Sequence, residues 1–140
     1  RQGRRVSVPG TAAVKPLANY AELRRAGGLL FLSGISARQA DGTIAGTQVA
    51  ADGNRVHDVA VQLRTILQKA KDTLERNGAR LDHLVDVTIF LPDMADYGAM
   101  NEEYNRWIPA SGPARTTVGV RALPHPDMVV ELKVVASAAE

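Results

Sequence analysis

The sequence contains no cysteine, so none of its 140 residues can form a disulfide, a thiolate zinc site or a cysteine nucleophile. Net charge is also low, because 17 basic residues stand against 15 acidic ones and leave a formal charge of +2. An excess this small gives no basis for a phosphate-binding surface. We therefore expect no nucleic-acid partner.

Long apolar runs are missing as well. The longest, around Leu29 to Leu32, falls far short of the ~20 residues that a membrane helix needs. The basic start, Arg1 to Val8, lacks an apolar segment of signal-peptide length. We therefore expect no membrane partner and a cytoplasmic location.

Sequence motifs for cofactors are absent too: there is no GxGxxG, P-loop, HExxH, CxxC or GxSxG. The three histidines, His57, His83 and His125, lie far apart, and none has the spacing of a metal ligand set. We expect neither a cofactor nor a metal.

What is present fits one compact domain over residues 1–140, since 45% of the residues are hydrophobic. Only residues 1–15 are expected to be loosely held. The run from Gly27 to Ser36 is apolar, bounded by glycine and too short for a helix, so it predicts a strand. Asp41-Gly42 then predicts a tight turn into a second short strand at Thr43 to Ala45.

The segment from Val59 to Leu74 carries apolar residues at helical spacing and predicts an amphipathic helix of about six turns. Asp52 or Asn54 could cap its start, and Asn77-Gly78 supplies a left-handed stop. The solvated face of this helix is expected to carry the charges Lys69, Lys71, Glu75 and Arg76.

From Val85 to Leu91 the residues alternate with a period of two, which predicts a strand that Pro92 ends. Asp93 is a candidate cap for a second amphipathic helix. The residues expected to form the buried stripe of that helix are Tyr97, Met100, Tyr104 and Trp107.

Two β-branched runs follow, Thr116 to Leu123 and Met128 to Ala136, with Pro124 to Asp127 between them. The pattern predicts that they pair as an antiparallel hairpin. The order of elements predicts an α+β fold: one sheet with two helices packed on one face. A sheet covered on one side needs a partner for its other face, so we expect oligomerisation.

Two ionisable residues interrupt the apolar strands. Arg115 opens the first of these runs, and Glu131 stands between Val130 and Leu132 in the second. Alternation places Glu131 on the sheet face opposite those two neighbours. On pattern alone this favours an ordinary surface glutamate, and the residues by themselves decide no more.

Four segments resemble the successive signature blocks of the Rid (reactive intermediate deaminase, YjgF-like) family. They are YAELRRAGGLLFLSG (Tyr20 to Gly34), DMADYGAMNEEY (Asp93 to Tyr104), PARTTVGV (Pro113 to Val120) and VVELKVVA (Val129 to Ala136). The resemblance implies a chorismate-mutase-like fold with a mixed sheet, a homotrimer with clefts between subunits, and release of ammonia from a carboxylate-bearing enamine or imine.

The resemblance also implies roles for individual residues. Arg115 matches the arginine that grips the substrate carboxylate, and guanidinium suits that task because it can donate two parallel hydrogen bonds. Glu131 matches the acid that positions or protonates, and a largely dry cleft would raise its pKa. Lining positions are matched by Tyr20, Ser33, Gly34 and Asn101, and Thr117 stands where a cysteine is frequent.

Within the family, the turn from Leu123 to Pro126 and the strand after it resemble 2-aminomuconate deaminases. Such a substrate carries two carboxylates, so a second donor is needed, and His125 or Arg38 is a candidate, although the pattern alone favours an exposed loop residue at both positions. The alternatives are a broad-specificity deaminase of 2-iminobutanoate and 2-iminopropanoate, or a non-catalytic module that binds a small carboxylate.

Overall fold

The computed structural model describes residues 18–138, so the predicted loose start at residues 1–15 lies outside the described part. Five strands form one mixed sheet in the order β1-β2-β7-β5-β6. Two further strands form a separate hairpin, and two α-helices complete the fold. The strands are β1 (Leu23–Ala26), β2 (Leu29–Leu32), β3 (Thr47–Val49), β4 (Arg55–His57), β5 (Leu84–Leu91), β6 (Ala114–Gly119) and β7 (Glu131–Ser137); the helices are α1 (Val59–Arg76) and α2 (Tyr97–Trp107).

One face of the sheet forms the core with the two helices, as the sequence predicted. In β7 every second residue is buried, namely Leu132, Val134 and Ala136, because side chains of a strand alternate between faces. These residues join one hydrophobic cluster with the apolar stripe of α1. No helix of residues 18–138 covers the opposite face, where Phe31 and Val118 are exposed.

The first predicted strand, Gly27 to Ser36, is present as the shorter β2, and it pairs as a hairpin with β1, which was not predicted. Gly27 and Gly28 turn the chain between β1 and β2, with φ of 58° and 79°. Positive φ at both central residues is what a two-residue type I′ turn requires, and glycine adopts it without a steric penalty. The strand predicted at Thr43 to Ala45 is wrong, because only an isolated bridge joins Arg38 to Ile44 there. The turn at Gly42 is present, with φ of 89°.

Helix α1 is confirmed, with different details. It has 18 residues, or about five turns rather than six. Its cap is Asp58, whose carboxylate accepts from the backbone of Ala60 at 3.0 Å and of Val61 at 3.2 Å. The predicted caps do not reach it, since Asp52 instead accepts from Asn54 within the turn between β3 and β4.

The predicted pairing of the last two strands is wrong. Strand β5 lies between them, antiparallel to β7 and parallel to β6. The connection over residues 120–130 is therefore a long loop between non-neighbouring strands, and its proline-flanked turn does not join a hairpin. A parallel edge strand next to β5 carries the same β-branched pattern as a hairpin strand, so sequence alone does not separate the two.

Asp127 ties this loop to the rest of the fold. Its buried carboxylate accepts from Arg55 Nε at 2.8 Å and Nη2 at 2.5 Å, and from His57 Nε2 at 2.9 Å. Its carbonyl accepts from Gln62 Nε2 of α1 at 2.8 Å. One residue therefore connects the β3–β4 hairpin, helix α1 and the loop that leads into β7.

Replacing Asp127 by Ala should lower the free energy of unfolding by about 2 to 4 kcal/mol, since Arg55 and His57 both lose an ionised, buried acceptor. Urea unfolding measures this loss. Asp82→Ala is the matched control, because the ion pair that Asp82 forms with Arg80 is exposed and 3.7 Å long; the change should alter stability by less than about 0.5 kcal/mol.

The loss should depend on pH. Hydrogen bonds from Arg55, and then from His57, hold the pKa of Asp127 well below its ordinary value. A depressed folded pKa stabilises the fold above the unfolded value of about 4 and loses that effect as pH falls. Parent and Asp127→Ala should therefore converge in strong acid, and an undiminished difference there would contradict the ion-pair account.

Candidate active site

Arg115 lies in the edge strand β6, against helix α2. Its Cζ is 4.8 Å from the ring centroid of Tyr104 and 5.9 Å from that of Tyr97. Its Nη2 donates to the Tyr97 hydroxyl at 3.4 Å. The expectation of a wholly buried aromatic stripe is thus wrong in part: Tyr104 is buried beside Met100, but Tyr97 is 40% exposed, and both tyrosine rings contact the arginine.

Thr117 and Asn101 lie in the same region. Thr117 follows Arg115 by two residues in β6 and therefore shares its face, while Asn101 is one turn after Tyr97 in α2. The Thr117 Oγ1 and Asn101 Oδ1 atoms are both buried and have no hydrogen-bond partner among residues 18–138. An unpaired buried polar atom costs about 1–3 kcal/mol, so two of them on the elements that hold Arg115 and its tyrosine contacts fit a site that a polar ligand completes.

Glu131 begins β7, opposite Phe90 of β5, on the open face. Its carboxylate accepts no hydrogen bond and forms no ion pair with any residue of the described range, although the side chain is about half-buried. Burial raises the pKa of Glu131. The carboxyl group is therefore placed to exchange protons closer to neutral pH than an ordinary glutamate.

Gly34 and Ser33 lie beside this carboxyl group. A Cβ on Gly34 would come within 2.1 Å of Glu131 Oε2, so only glycine allows this close approach. Ser33 donates from its backbone N to Glu22 O at 3.1 Å and from Oγ to Ala21 O at 2.5 Å. These bonds bring the segment after Tyr20 to the same region.

His125 lies elsewhere in the chain, at a groove of about 720 Å³ between the β3–β4 hairpin and α1. Its Nδ1 accepts from the backbone N of Asp127 at 3.0 Å, so neutral His125 carries its proton on Nε2 and can donate from there. The polar residues that line the groove are Gln39, Thr43, Thr47, Arg55, Thr65, His125 and Asp127. The other candidate donor, Arg38, lies in the loop after β2, where an isolated bridge joins it to Ile44.

The sequence patterns missed Lys69, which was expected on the solvated face of α1. Its Nζ donates to the backbone oxygens of Ser36 at 2.7 Å and Arg38 at 2.9 Å. Burial lowers its pKa to about 8. Lys69 thus fixes the loop that follows Gly34, a role that its place in a run of charges did not indicate.

The two predicted central residues do not meet within one chain. In the β5–β6 register Arg115 lies opposite Val87, a residue of the buried, helix-covered face. Glu131 lies opposite Phe90, three residues further along β5 and on the other face. The chain therefore holds two half-sites: Arg115 with Thr117 and Asn101, and Glu131 with Gly34 and Ser33.

Among residues 18–138, no three His, Asp or Glu side chains converge as a metal ion would need, and the expected absence of a metal stays a prediction. Within the same range no helix is both long and apolar enough to cross a membrane.

Comparison with known proteins defines the class to which this fold and these residues belong. The family model described as Endoribonuclease L-PSP matches residues 10–138. A RutC family protein from Pyrococcus horikoshii is 34% identical over 128 residues, which cover 89% of this chain and 90% of that protein. The 3-aminoacrylate deaminase RutC from Acinetobacter baylyi is 33% identical over 121 residues, with 86% and 88% covered.

A solved structure agrees with these relatives. A member of the YjgF protein family from Neisseria meningitidis is 29% identical, with a TM-score of 0.73 over 91% of this chain and 93% of that one. The α+β fold is thereby confirmed. This chain belongs to the Endoribonuclease L-PSP family, which includes the Rid, YjgF and RutC proteins.

Gly34→Ala should leave the fold almost unchanged and reduce turnover on the order of 10²-fold, because the new methyl group must displace the Glu131 carboxylate. The clash falls on the end of a flexible side chain, so the stability cost should stay below about 1 kcal/mol. Gly98→Ala is the matched control, since apart from its chain neighbours and the backbone of its own helix no atom of residues 18–138 lies within 4 Å of the added Cβ. If both variants turned over substrate at the parent rate, the position of the Glu131 carboxylate would not matter for catalysis.

Proposed function

We propose that this chain is a deaminase that hydrolyses the C=N bond of a small carboxylate-bearing imine, reached from its enamine, and releases ammonia. The observation that carries this proposal is Glu131, a half-buried carboxyl group with a raised pKa and no partner in the described chain. A carboxyl group in that state can take and return protons near neutral pH.

The chemistry assigns one task to each half-site. Arg115 binds the substrate carboxylate through two charge-assisted hydrogen bonds and thereby orients the adjacent C=N carbon. Glu131 takes a proton from a water molecule as the water oxygen bonds to that carbon, and it passes this proton to the imine nitrogen, which gives a carbinolamine. Glu131 then takes the proton of the carbinolamine hydroxyl and passes it to the amino nitrogen; the C–N bond breaks, ammonia leaves, and a C=O bond forms.

The two half-sites need a second chain if they are to act together. We propose a homotrimer in which Arg115, Thr117 and Asn101 of one subunit face Glu131, Gly34 and Ser33 of another. The open sheet face supports this arrangement, since it carries Glu131 together with exposed apolar side chains such as Phe31. Tyr20, which is 51% exposed in the single chain, would line the same cleft.

The substrate class follows from the charges at the site. The name of the Acinetobacter baylyi relative, a 3-aminoacrylate deaminase, supports a small carboxylate-bearing enamine. Within that class we propose 2-aminomuconate, from the turn between Leu123 and Pro126. His125 itself lies in a groove that contains neither Arg115 nor Glu131, so its predicted contact with the second carboxylate has no support in the single chain. The alternative is a broad-specificity deaminase of 2-iminobutanoate and 2-iminopropanoate. The cytoplasmic location remains a prediction.

Two non-deaminase functions compete less well. A module that only binds a small carboxylate needs an arginine but has no use for an unpaired, half-buried glutamate. An RNA-cleaving role, which the name of the family model suggests, would call for a basic surface, and the formal charge of the chain is only +2.

Ammonia release from 2-aminomuconate, 2-iminobutanoate and 2-iminopropanoate tests the activity and ranks the substrates. Glu131→Gln should reduce kcat by about 10² to 10⁴ with little change in KM, since the amide keeps the shape but cannot exchange protons. Arg115→Ala should raise KM steeply, and Arg115→Lys should restore binding only in part. A fully active Glu131→Gln variant would make Glu131 a structural residue.

Mixing two impaired variants tests the shared cleft. Arg115→Ala and Glu131→Gln chains, unfolded and refolded together, should form trimers in which about a quarter of the clefts combine an intact Arg115 with an intact Glu131. At a substrate concentration far below the KM of Arg115→Ala, activity should return to about that fraction of the parent value, while each variant refolded alone stays nearly inactive. Light scattering should report three chains. No recovery in a mixed trimer would place both residues of each site in one subunit.

A further inference from the structure

We propose that Tyr104 and Tyr97 are positioning residues that hold the Arg115 guanidinium ready for the substrate carboxylate; this rests on the proposed function. The two rings lie 4.8 Å and 5.9 Å from Arg115 Cζ, within the range of a cation–π contact. The Tyr97 hydroxyl adds a long hydrogen bond of 3.4 Å from Nη2.

The arginine needs such support because of where it lies. Strand β6 is the edge of the sheet, so Arg115 has strand neighbours on one side only. Within residues 18–138 no carboxylate pairs with it, whereas Arg55 and Arg64 are each fixed by a buried acid. An unsupported arginine side chain has many rotamers, and ordering them on binding would weaken affinity.

Aromatic rings suit this task better than an acid would. A carboxylate partner would fix the guanidinium but neutralise its charge and occupy its N–H donors. A ring face attracts the guanidinium through the ring quadrupole. The N–H donors, which point outward in the plane of the guanidinium, are not used up by this contact. The rings can therefore restrain Arg115 while leaving its charge and most of its donors for the carboxylate of a substrate.

The two tyrosines contribute differently. Tyr104 is only 6% exposed and belongs to the hydrophobic core, so its ring is a fixed surface for the guanidinium. Tyr97 is at the start of α2 and 40% exposed, and it adds both a ring and a hydroxyl acceptor. They are seven residues apart, or two turns, so α2 presents both on one stripe, with Asn101 between them.

The test compares Phe and Leu replacements at each position. Tyr104→Leu should weaken binding of 2-oxobutanoate, the product expected from 2-iminobutanoate, by about five- to thirtyfold, while Tyr104→Phe should stay within about twofold of the parent. Calorimetry measures Kd. KM for the imine should rise in step, and kcat should change little, because neither ring touches the reacting atoms.

Variants of Tyr97 provide a control in case Tyr104→Leu fails to fold. Since Tyr97 is exposed, Tyr97→Leu should unfold at the same urea concentration as the parent and yet raise the Kd for 2-oxobutanoate by severalfold. The Kd of Tyr97→Phe should lie between those of the parent and Tyr97→Leu, because Phe keeps the ring and loses the hydroxyl. Folded Leu variants at both positions that bind as tightly as the parent would overturn the proposal.

Nuclear magnetic resonance gives a reading that is independent of activity. Protons of the Arg115 side chain should be shifted upfield by the ring currents of the parent, and this shift should shrink in both Leu variants. A parent enzyme that binds 2-oxobutanoate but turns over no imine would refute the deaminase alone. Unchanged shifts and affinity in the Leu variants would refute the positioning role alone.

Discussion

The alternation of side chains along β5, β6 and β7 is the constraint on which the candidate site depends. Because β5 lies between the other two, its register fixes which face each neighbour's residues occupy: Arg115 opposite Val87, and Glu131 opposite Phe90. Because side chains alternate along a strand, Arg115 lies on the helix-covered face and Glu131 on the open face. A slip of one residue in either pairing would exchange the faces and destroy both half-sites.

The acidic residues with a structural role have hydrogen-bonding partners, whereas the candidate catalytic acid has none in the described chain. Asp127 and Glu103 are both buried and fully paired. Burial alone would raise the pKa of Glu103, but hydrogen bonds from Arg64 and Trp107 outweigh it, and its pKa is lowered. Glu131 has burial without any such partner in the described chain, so its pKa moves in the opposite direction. The functional carboxylate is distinguished by the interaction that it lacks, which is the expected state of a general acid or base.

The sequence predicted the elements with strong periodicity and failed where the pattern depends on the partner strand. The stripe of α1 and the alternation around Glu131 are local, so both were readable. The order β7-β5-β6 was not, because a parallel edge strand and a hairpin strand share one composition. Lys69 and the contact between Tyr104 and Arg115 could not be predicted either, since each joins segments more than ten residues apart whose approach only the folded chain determines.

Two features of the single chain, an exposed apolar face and buried polar atoms without partners in the described residues, link assembly to ligand binding. The open face exposes apolar area, and the helix-covered half-site contains polar atoms of Thr117 and Asn101 that have no partner in the described part of the chain. In the proposed trimer the first feature is removed by a neighbouring subunit and the second by a polar ligand in the cleft. A ligand that contacts both half-sites binds only the assembled state, so it must stabilise the trimer by mass action, and assembly must in turn tighten its binding. The separation of Arg115 from Glu131 thus makes quaternary structure part of the site itself.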